Sequence, residues 1–270
     1  MTSIDGTLLD FKSLDRLAAQ DSAIHRLDPR AKLLATAVFI CTVVSFGKYE
    51  LSALVPFFAF PVFMMALGNL PARYIAQKVL LISPFVVMVG MFNPLFDRAV
   101  LVHLGPLGIS GGWISFVSIM LRTVLTAVSA LILVGVTGFA AICWALVRLG
   151  VPWEFAVQLL FLNRYIFVLA EEGSRASRAR ELRSFGTKGM GARVYGSLLG
   201  HLLLRTWQRA ERIHGAMLAR GFEGTLYSRQ EFIFGGREIL FLTGWVALFI
   251  TMRVVNATHL MGAVVMGVLR

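Results

Sequence analysis

A chain of 270 residues that is 57% hydrophobic and 15% charged, with a mean hydropathy of +0.74, lies outside the soluble range of about 45–50% apolar and about 25% charged residues. Charge-free apolar runs recur from Leu33 almost to the last residue. They exclude a soluble enzyme with one anchoring helix, a disordered chain and a disulfide scaffold. The net charge of +11 is concentrated: residues 171–237 hold 12 of the 26 Lys and Arg but only 6 of the 15 Asp and Glu. In a membrane protein that marks a cytoplasmic segment rather than a nucleic-acid surface.

From Met1 to Lys32 acids and bases alternate without a long apolar core. This predicts no cleavable signal peptide and an N-terminus held inside. The uncharged runs 33–47 and 51–72, parted by Lys48-Tyr49-Glu50, predict a transmembrane hairpin, with Pro56 and Pro61 kinking its second arm. An inside turn over Asn69–Arg73 leads to a third crossing from Val79 to Phe96, an outside loop over 97–112, and a fourth crossing from Trp113 to about Val136. Arg122 interrupts that last run and must snorkel, find a structural partner or line a transport path. Residues 138–170 fit either a partly inserted cytoplasm-side helical hairpin or a kinked helix leading into the charged segment. Ile239–Met252 is a further apolar helix, and Val254–Leu269 continues apolar, so about five crossings are expected.

Within the charged segment, Glu171–Phe185 is helical by composition and carries Arg175, Arg178, Arg180 and Arg183. Residues 186–191 break it. A second helix, Arg193–Ala219, would be on the order of 40 Å long and stops at Gly221, suited to the left-handed position past a helix end. Tyr195, Leu198, Leu199, Leu202, Leu203, Ile213 and Met217 form an apolar stripe that something must cover, and Gly196 and Gly200 would admit a close helix.

The scattered histidines offer no shared ion site: His201 and His214 would lie about 20 Å apart on one helix. Cys41 and Cys143 sit in apolar runs as packing residues, and no G-x-x-x-x-G-K-[ST] is present. No catalytic residue, cofactor or metal site is therefore expected on this chain.

Ala219-Arg220-Gly221, preceded by Arg209–Leu218 (RAERIHGAML) and followed by Phe222-Glu223-Gly224, resembles the second Ala-Arg-Gly signature of the transmembrane T component of energy-coupling factor (ECF) transporters, ABC-type importers of vitamins and transition metals. His25–Leu34 (HRLDPRAKLL) is similar to the stretch that leads into that family's first membrane helix. Forty residues before Arg220, Ala179-Arg180-Glu181 stands at about the spacing of the first signature. There Glu181 replaces the usual glycine, which leaves Arg178 and Arg183 as alternatives to Arg180. The stretch RELRSFG looks most like the cobalt-transport branch.

The resemblance implies an all-α integral membrane protein, a bundle of about five transmembrane helices with long cytoplasmic coupling helices in an L or V. Its parts would be an N-terminal arm and bundle over 1–170, coupling helices over 171–237 and a C-terminal helix and tail over 238–270. It implies a multi-pass protein of the bacterial inner membrane with two cytoplasmic ATPase subunits and a membrane-embedded substrate-binding subunit as partners, and no nucleic acid. The two ATPases would be gripped at Ala179, Arg180 and Glu181 and at Ala219, Arg220 and Gly221, for import of cobalt. Nickel or a vitamin is the alternative cargo. An integral membrane enzyme acting on lipid phosphate groups, or a self-contained secondary transporter, are the rival classes. The first would need an acid, base or metal cluster near the interface, for which Glu171, Glu172 and Glu181 could serve in principle although no Asp-rich or His-rich motif accompanies them; the second would need paired inverted halves and polar residues at mid-membrane, which are not visible in the sequence.

Overall fold

The computed structural model describes residues 17–96, 100–104, 107–183, 192–224 and 234–254. Its elements are α1 (Pro29–Val44), a 3-10 helix (Ser52–Phe58), α2 (Ala59–Leu67), α3 (Ala72–Gly90), α4 (Phe92–Phe96), β1 (Val100–Leu104), β2 (Leu107–Ser110), α5 (Gly111–Thr137), α6 (Phe139–Arg148), α7 (Trp153–Arg183), α8 (Ala192–Ala219) and α9 (Gly236–Val254). The expectations placed on the chain before residue 17, on Asp97-Arg98, on 186–191 and on the tail from 255 lie outside the described residues. The chain gathers into two compact units: the described residues of Leu17–Gly138 and 232–270 form one, and those of Phe139–Glu231 the other.

In the first unit, Asp28 caps α1 by accepting the Arg30 N–H at 2.8 Å, and Pro29 takes the first helical position, where its missing N–H costs nothing. The turn after α1 carries the polar break, and the next arm begins as the 3-10 helix with Pro56 inside it. Proline cannot donate into an α ladder, so the α-helical geometry starts only at Ala59. The core is aromatic. Phe39 of α1 stacks on Phe60 at 4.7 Å and meets Phe249 of α9 at 5.4 Å, while Trp245 stands edge-on to Phe60 at 4.9 Å. Each such pair contributes about 0.5–1.5 kcal/mol beyond area burial. That packing term matters here, because apolar side chains gain nothing by leaving lipid.

α5 is the hub, touching α1, α2, α3, α4, the 3-10 helix and both strands. Its packed face carries small residues, Gly112, Ser115, Ser118 and Ser129, all buried, and a Cβ on Gly90 of α3 would stand 2.8 Å from the Phe116 ring. α3 turns Leu80, Leu81, Phe85 and Met88 outward. Arg122 has a structural partner: its guanidinium donates to the Gly47 carbonyl in the turn after α1. In the same region Arg253 pairs with Glu50 at 3.5 Å and lies over the Phe46 ring.

Three elements depart from expectation. α3 starts at Ala72, so Arg73 and Lys78 are already helical. The expected outside loop contains an antiparallel hairpin, with Val102 opposite Ile109 and Leu104 opposite Leu107; its alternating β-branched and apolar residues suit a strand pair. Among the described residues the regular structure is otherwise helical, as expected of an all-α membrane protein. Finally, α7 is one 31-residue helix that passes residue 170 without a break, because the backbone ladder does not sense the change from apolar to charged side chains.

By length and composition three stretches among the described residues are able to cross a membrane, Ala72–Pro94, Gly111–Thr137 and Trp153–Arg183. Ser52–Leu67 and Phe139–Arg148 are shorter apolar helices.

Candidate coupling surface

α7 and α8 form an antiparallel hairpin, in register from end to end. Glu172 accepts from Arg205 at 3.2 Å and lies 3.5 Å from Arg209, and Gly173 leaves room for Leu202 against its backbone. Further along, Tyr165, Val168 and Leu169 face Thr206, Ala210 and Ile213 across an apolar crevice of about 100 Å³. At the far end the Trp153 indole N–H donates to the Gly224 carbonyl at 2.7 Å, and Trp153 also packs on Trp144 of α6 at 4.9 Å. The apolar half of α7 therefore has Arg209, Glu211, Arg212 and Arg220 running beside it. If α7 crossed the bilayer, α8 would carry those charges into the hydrocarbon, at a cost of about 2.5–3.5 kcal/mol for each central arginine.

The hairpin separates the two signatures. Ala219 is the last residue of α8, Arg220 is the C-cap, and Gly221 follows at φ +78°. The Gly221 N–H donates to the Leu218 carbonyl and the Phe222 N–H to the Met217 carbonyl, both at 3.0 Å. This is a complete Schellman motif, and it needs glycine because a Cβ in the left-handed region costs about 1–2 kcal/mol. Arg220 is exposed, joined by no side-chain hydrogen bond or ion pair to any described residue. Its cation sits where the last carbonyls make the helix end negative, a favourable position for a positive charge.

Ala179-Arg180-Glu181 is placed differently. It lies inside α7, with Arg180 and Arg183 in the last described turn. Ala179, Arg180 and Arg183 line a groove between α7 and α8, and Arg178 does not. The groove is level with Ser197–Arg205, so Arg180 and Arg220 stand roughly 30 Å apart along the hairpin at 1.5 Å per residue. They are two sites rather than one. Sequence reasoning did not bring Arg175, His201 and Arg205 together with Arg180. Their signal is present in the spacing, since 172, 175, 176, 179, 180 and 183 share one helical face, as do 197, 198, 201, 202 and 205. Among the described residues no three His, Cys, Asp or Glu side chains gather as metal ligands.

The sequence matches the family described as cobalt transport protein (CbiQ) over residues 20–233. The chain belongs to this family. It is also EcfT-like: it is 29% identical over 227 residues to the energy-coupling factor transporter transmembrane protein EcfT of Leuconostoc gelidum, covering 78% of this chain and 83% of that one. The protein of the same name from Bacillus subtilis is 26% identical over 237 residues, covering 80% and 87%, and that of Heliobacterium modesticaldum is 29% identical over 233 residues, covering 78% and 84%. The family match spans α1 to α8, takes in residues 179–181 and 219–221, and ends at residue 233, just before α9.

Proposed function

We propose that this member of the family is the transmembrane coupling subunit of an ECF-type importer for a transition metal ion, cobalt first. In this reading the α7–α8 hairpin lies at the cytoplasmic face of the inner membrane, with the N-terminus on the same side, because the charges of α8 bar it from the hydrocarbon. The Schellman-capped Arg220 is the observation that carries the reading: a rigid helix end that presents an unpaired planar cation has no internal purpose. Its fork can grip carboxylates and carbonyls of a partner bidentately. Arg180 is the second grip, with Arg183 as the alternative on the same face.

Their separation of roughly 30 Å suits two partner subunits better than one, and supports two cytoplasmic ATPases, each holding one end of a stiff lever. Closure of the ATPases around nucleotide would shift both ends and pass the motion along the hairpin to a separate membrane subunit that holds the cargo. The coupling segment 171–237 then extends back through the apolar half of α7.

Coexpression with the ATPases and the substrate-binding subunit tests this. Arg220→Glu should lose ATPase copurification or metal uptake while still inserting in the membrane. Normal uptake by that variant would reject the assignment. Charge reversal at a gripped arginine removes one partner of a desolvated pair, worth about 2–5 kcal/mol.

A further inference from the structure

Two buried charges at the start of α1 take no direct hold of each other. Asp28 caps the helix and Lys32 follows one turn later, 2% and 1% exposed, so the two share a helix face at i and i+4. The Oδ1 atom of Asp28 is engaged by Arg30, whose backbone N–H donates to it at 2.8 Å and whose guanidinium lies 3.8 Å away. The Oδ2 atom is buried and has no hydrogen-bond partner among the described residues. The Lys32 ammonium reaches instead to α5, where it donates to the Val136 carbonyl at 3.4 Å. That bond is long, past the usual range of about 2.7–3.2 Å.

The acceptor belongs to the carboxyl end of α5. Thr137 is the last residue of that helix, and its hydroxyl is buried without a partner among the described residues. Gly138, at φ +78°, closes the first compact unit, and the chain runs on through α6 into the hairpin of α7 and α8. The Val136 carbonyl is therefore held by one long bond from a cation that has an unfilled carboxylate oxygen within its own helix turn. A buried ammonium is too costly to leave without an acceptor. If α5 withdraws, the flexible stem of Lys32 lets Oδ2 of Asp28 receive the charge. One cation then has two discrete resting places, which is the kind of element that carries motion from one site to another.

We propose that Lys32 is a positioning residue that couples the α7–α8 lever to the membrane bundle: it holds the carboxyl end of α5 in this structure and passes to Asp28 when the lever moves that end. The proposal rests on the coupling reading, because only then does a load arrive through Gly138. Exchanging a carbonyl for a carboxylate gives the ammonium a stronger, charge-assisted bond. That gain offsets the lost α5 contact, so the second state has a partner of its own.

The whole transporter, with its ATPases and substrate-binding subunit, is reconstituted in liposomes, and uptake of radiolabelled Co²⁺ is measured per ATP hydrolysed. Lys32→Met keeps the length of the side chain and removes its charge. Asp28→Asn keeps an acceptor for the Arg30 N–H and leaves Lys32 on Val136. Each variant should assemble with the ATPases and hydrolyse ATP, while uptake per ATP falls at least about ten-fold, the equivalent of one charge-assisted hydrogen bond. The Lys32→Met/Asp28→Asn double variant should lose no more than either single one, because both remove the same transfer. If Lys32 were only a structural anchor for α5, Asp28→Asn would keep the wild-type uptake per ATP, and that result would overturn the proposal. Losses that multiply in the double variant would overturn it too, as would failure of Asp28→Asn to assemble. A wild-type chain that assembles with no ATPase, or takes up no Co²⁺, would reject the coupling reading itself and this proposal with it.

Discussion

The backbone at residue 221 allows a prediction free of packing effects. Gly221 sits at φ +78° with nothing within 4 Å of where a Cβ would stand, so Gly221→Ala meets no clash and costs only the left-handed conformation, about 1–2 kcal/mol. Gly215, six residues earlier in the same helix, also faces open space but has helical geometry. There Gly→Ala should stabilise the helix by about 0.5–1 kcal/mol. The two substitutions are chemically identical and have opposite predicted signs. Hydrogen exchange in detergent, read at the Phe222 and Gly221 amides that close the motif, distinguishes them. Gly221→Ala should speed exchange there roughly five- to thirty-fold, while Gly215→Ala should slow it or leave it unchanged. Slower exchange in Gly221→Ala, or no change, would mean that α8 does not end in this motif and that Arg220 is not held at a rigid tip.

Two further predictions concern the segment that enters α1. Asp28→Ala removes the cap on Arg30 and should cost about 1 kcal/mol on that account alone, whereas Asp28→Asn keeps an acceptor there. Because Asp28 and Lys32 are both buried, each variant also strips the charge that faces Lys32. Thermal unfolding should therefore rank wild type, then Asn, then Ala, and an Ala variant as stable as wild type would contradict the assigned cap. His25 accepts from the Ser22 hydroxyl at 2.7 Å and donates to the Leu17 carbonyl at 3.0 Å. Burial holds its pKa below the ordinary 6.5, with Lys32 adding to the effect and the Leu17 and Gly135 carbonyls opposing it. The unfolded chain then takes up the proton more readily than the folded one. Stability should be complete above about pH 6.5 and fall as pH drops below it; a melting temperature from this residue that rises on acidification would refute the assignment, and His25→Gln should flatten the profile.

How much was readable before the fold was known depended on whether the signal was local. The first membrane run was read from Leu33, and the Asp28-Pro29 start of α1 came from the fold, whereas the stop of α8 at Gly221 was legible, because a cap is written in the two or three residues that make it. The apolar runs marked α1, α3, α5 and α9 for the same reason. What was not legible concerned partners. Arg122 left three readings open until the Gly47 carbonyl, 75 positions away in sequence, settled its role. The apolar half of α7 has the hydropathy of a membrane span, and nothing in residues 153–170 says that Arg209, Glu211 and Arg212 run beside it. The hairpin of β1 and β2 was hidden by its Gly and Pro, which read as loop. Periodicity told which residues share a face of α7 or α8, and pairing two such faces into a cationic groove required the fold.

The most direct test of the coupling account places a probe on the tip itself. In a chain freed of its own thiols by Cys41→Ser and Cys143→Ala, Ala219→Cys carries a bifunctional thiol crosslinker in the assembled transporter. The account predicts a crosslink to an ATPase subunit whose yield changes when ATP is bound, and its loss with Arg220→Glu. An assembled, active complex in which Ala219→Cys crosslinks only within its own chain, or not at all, would contradict it.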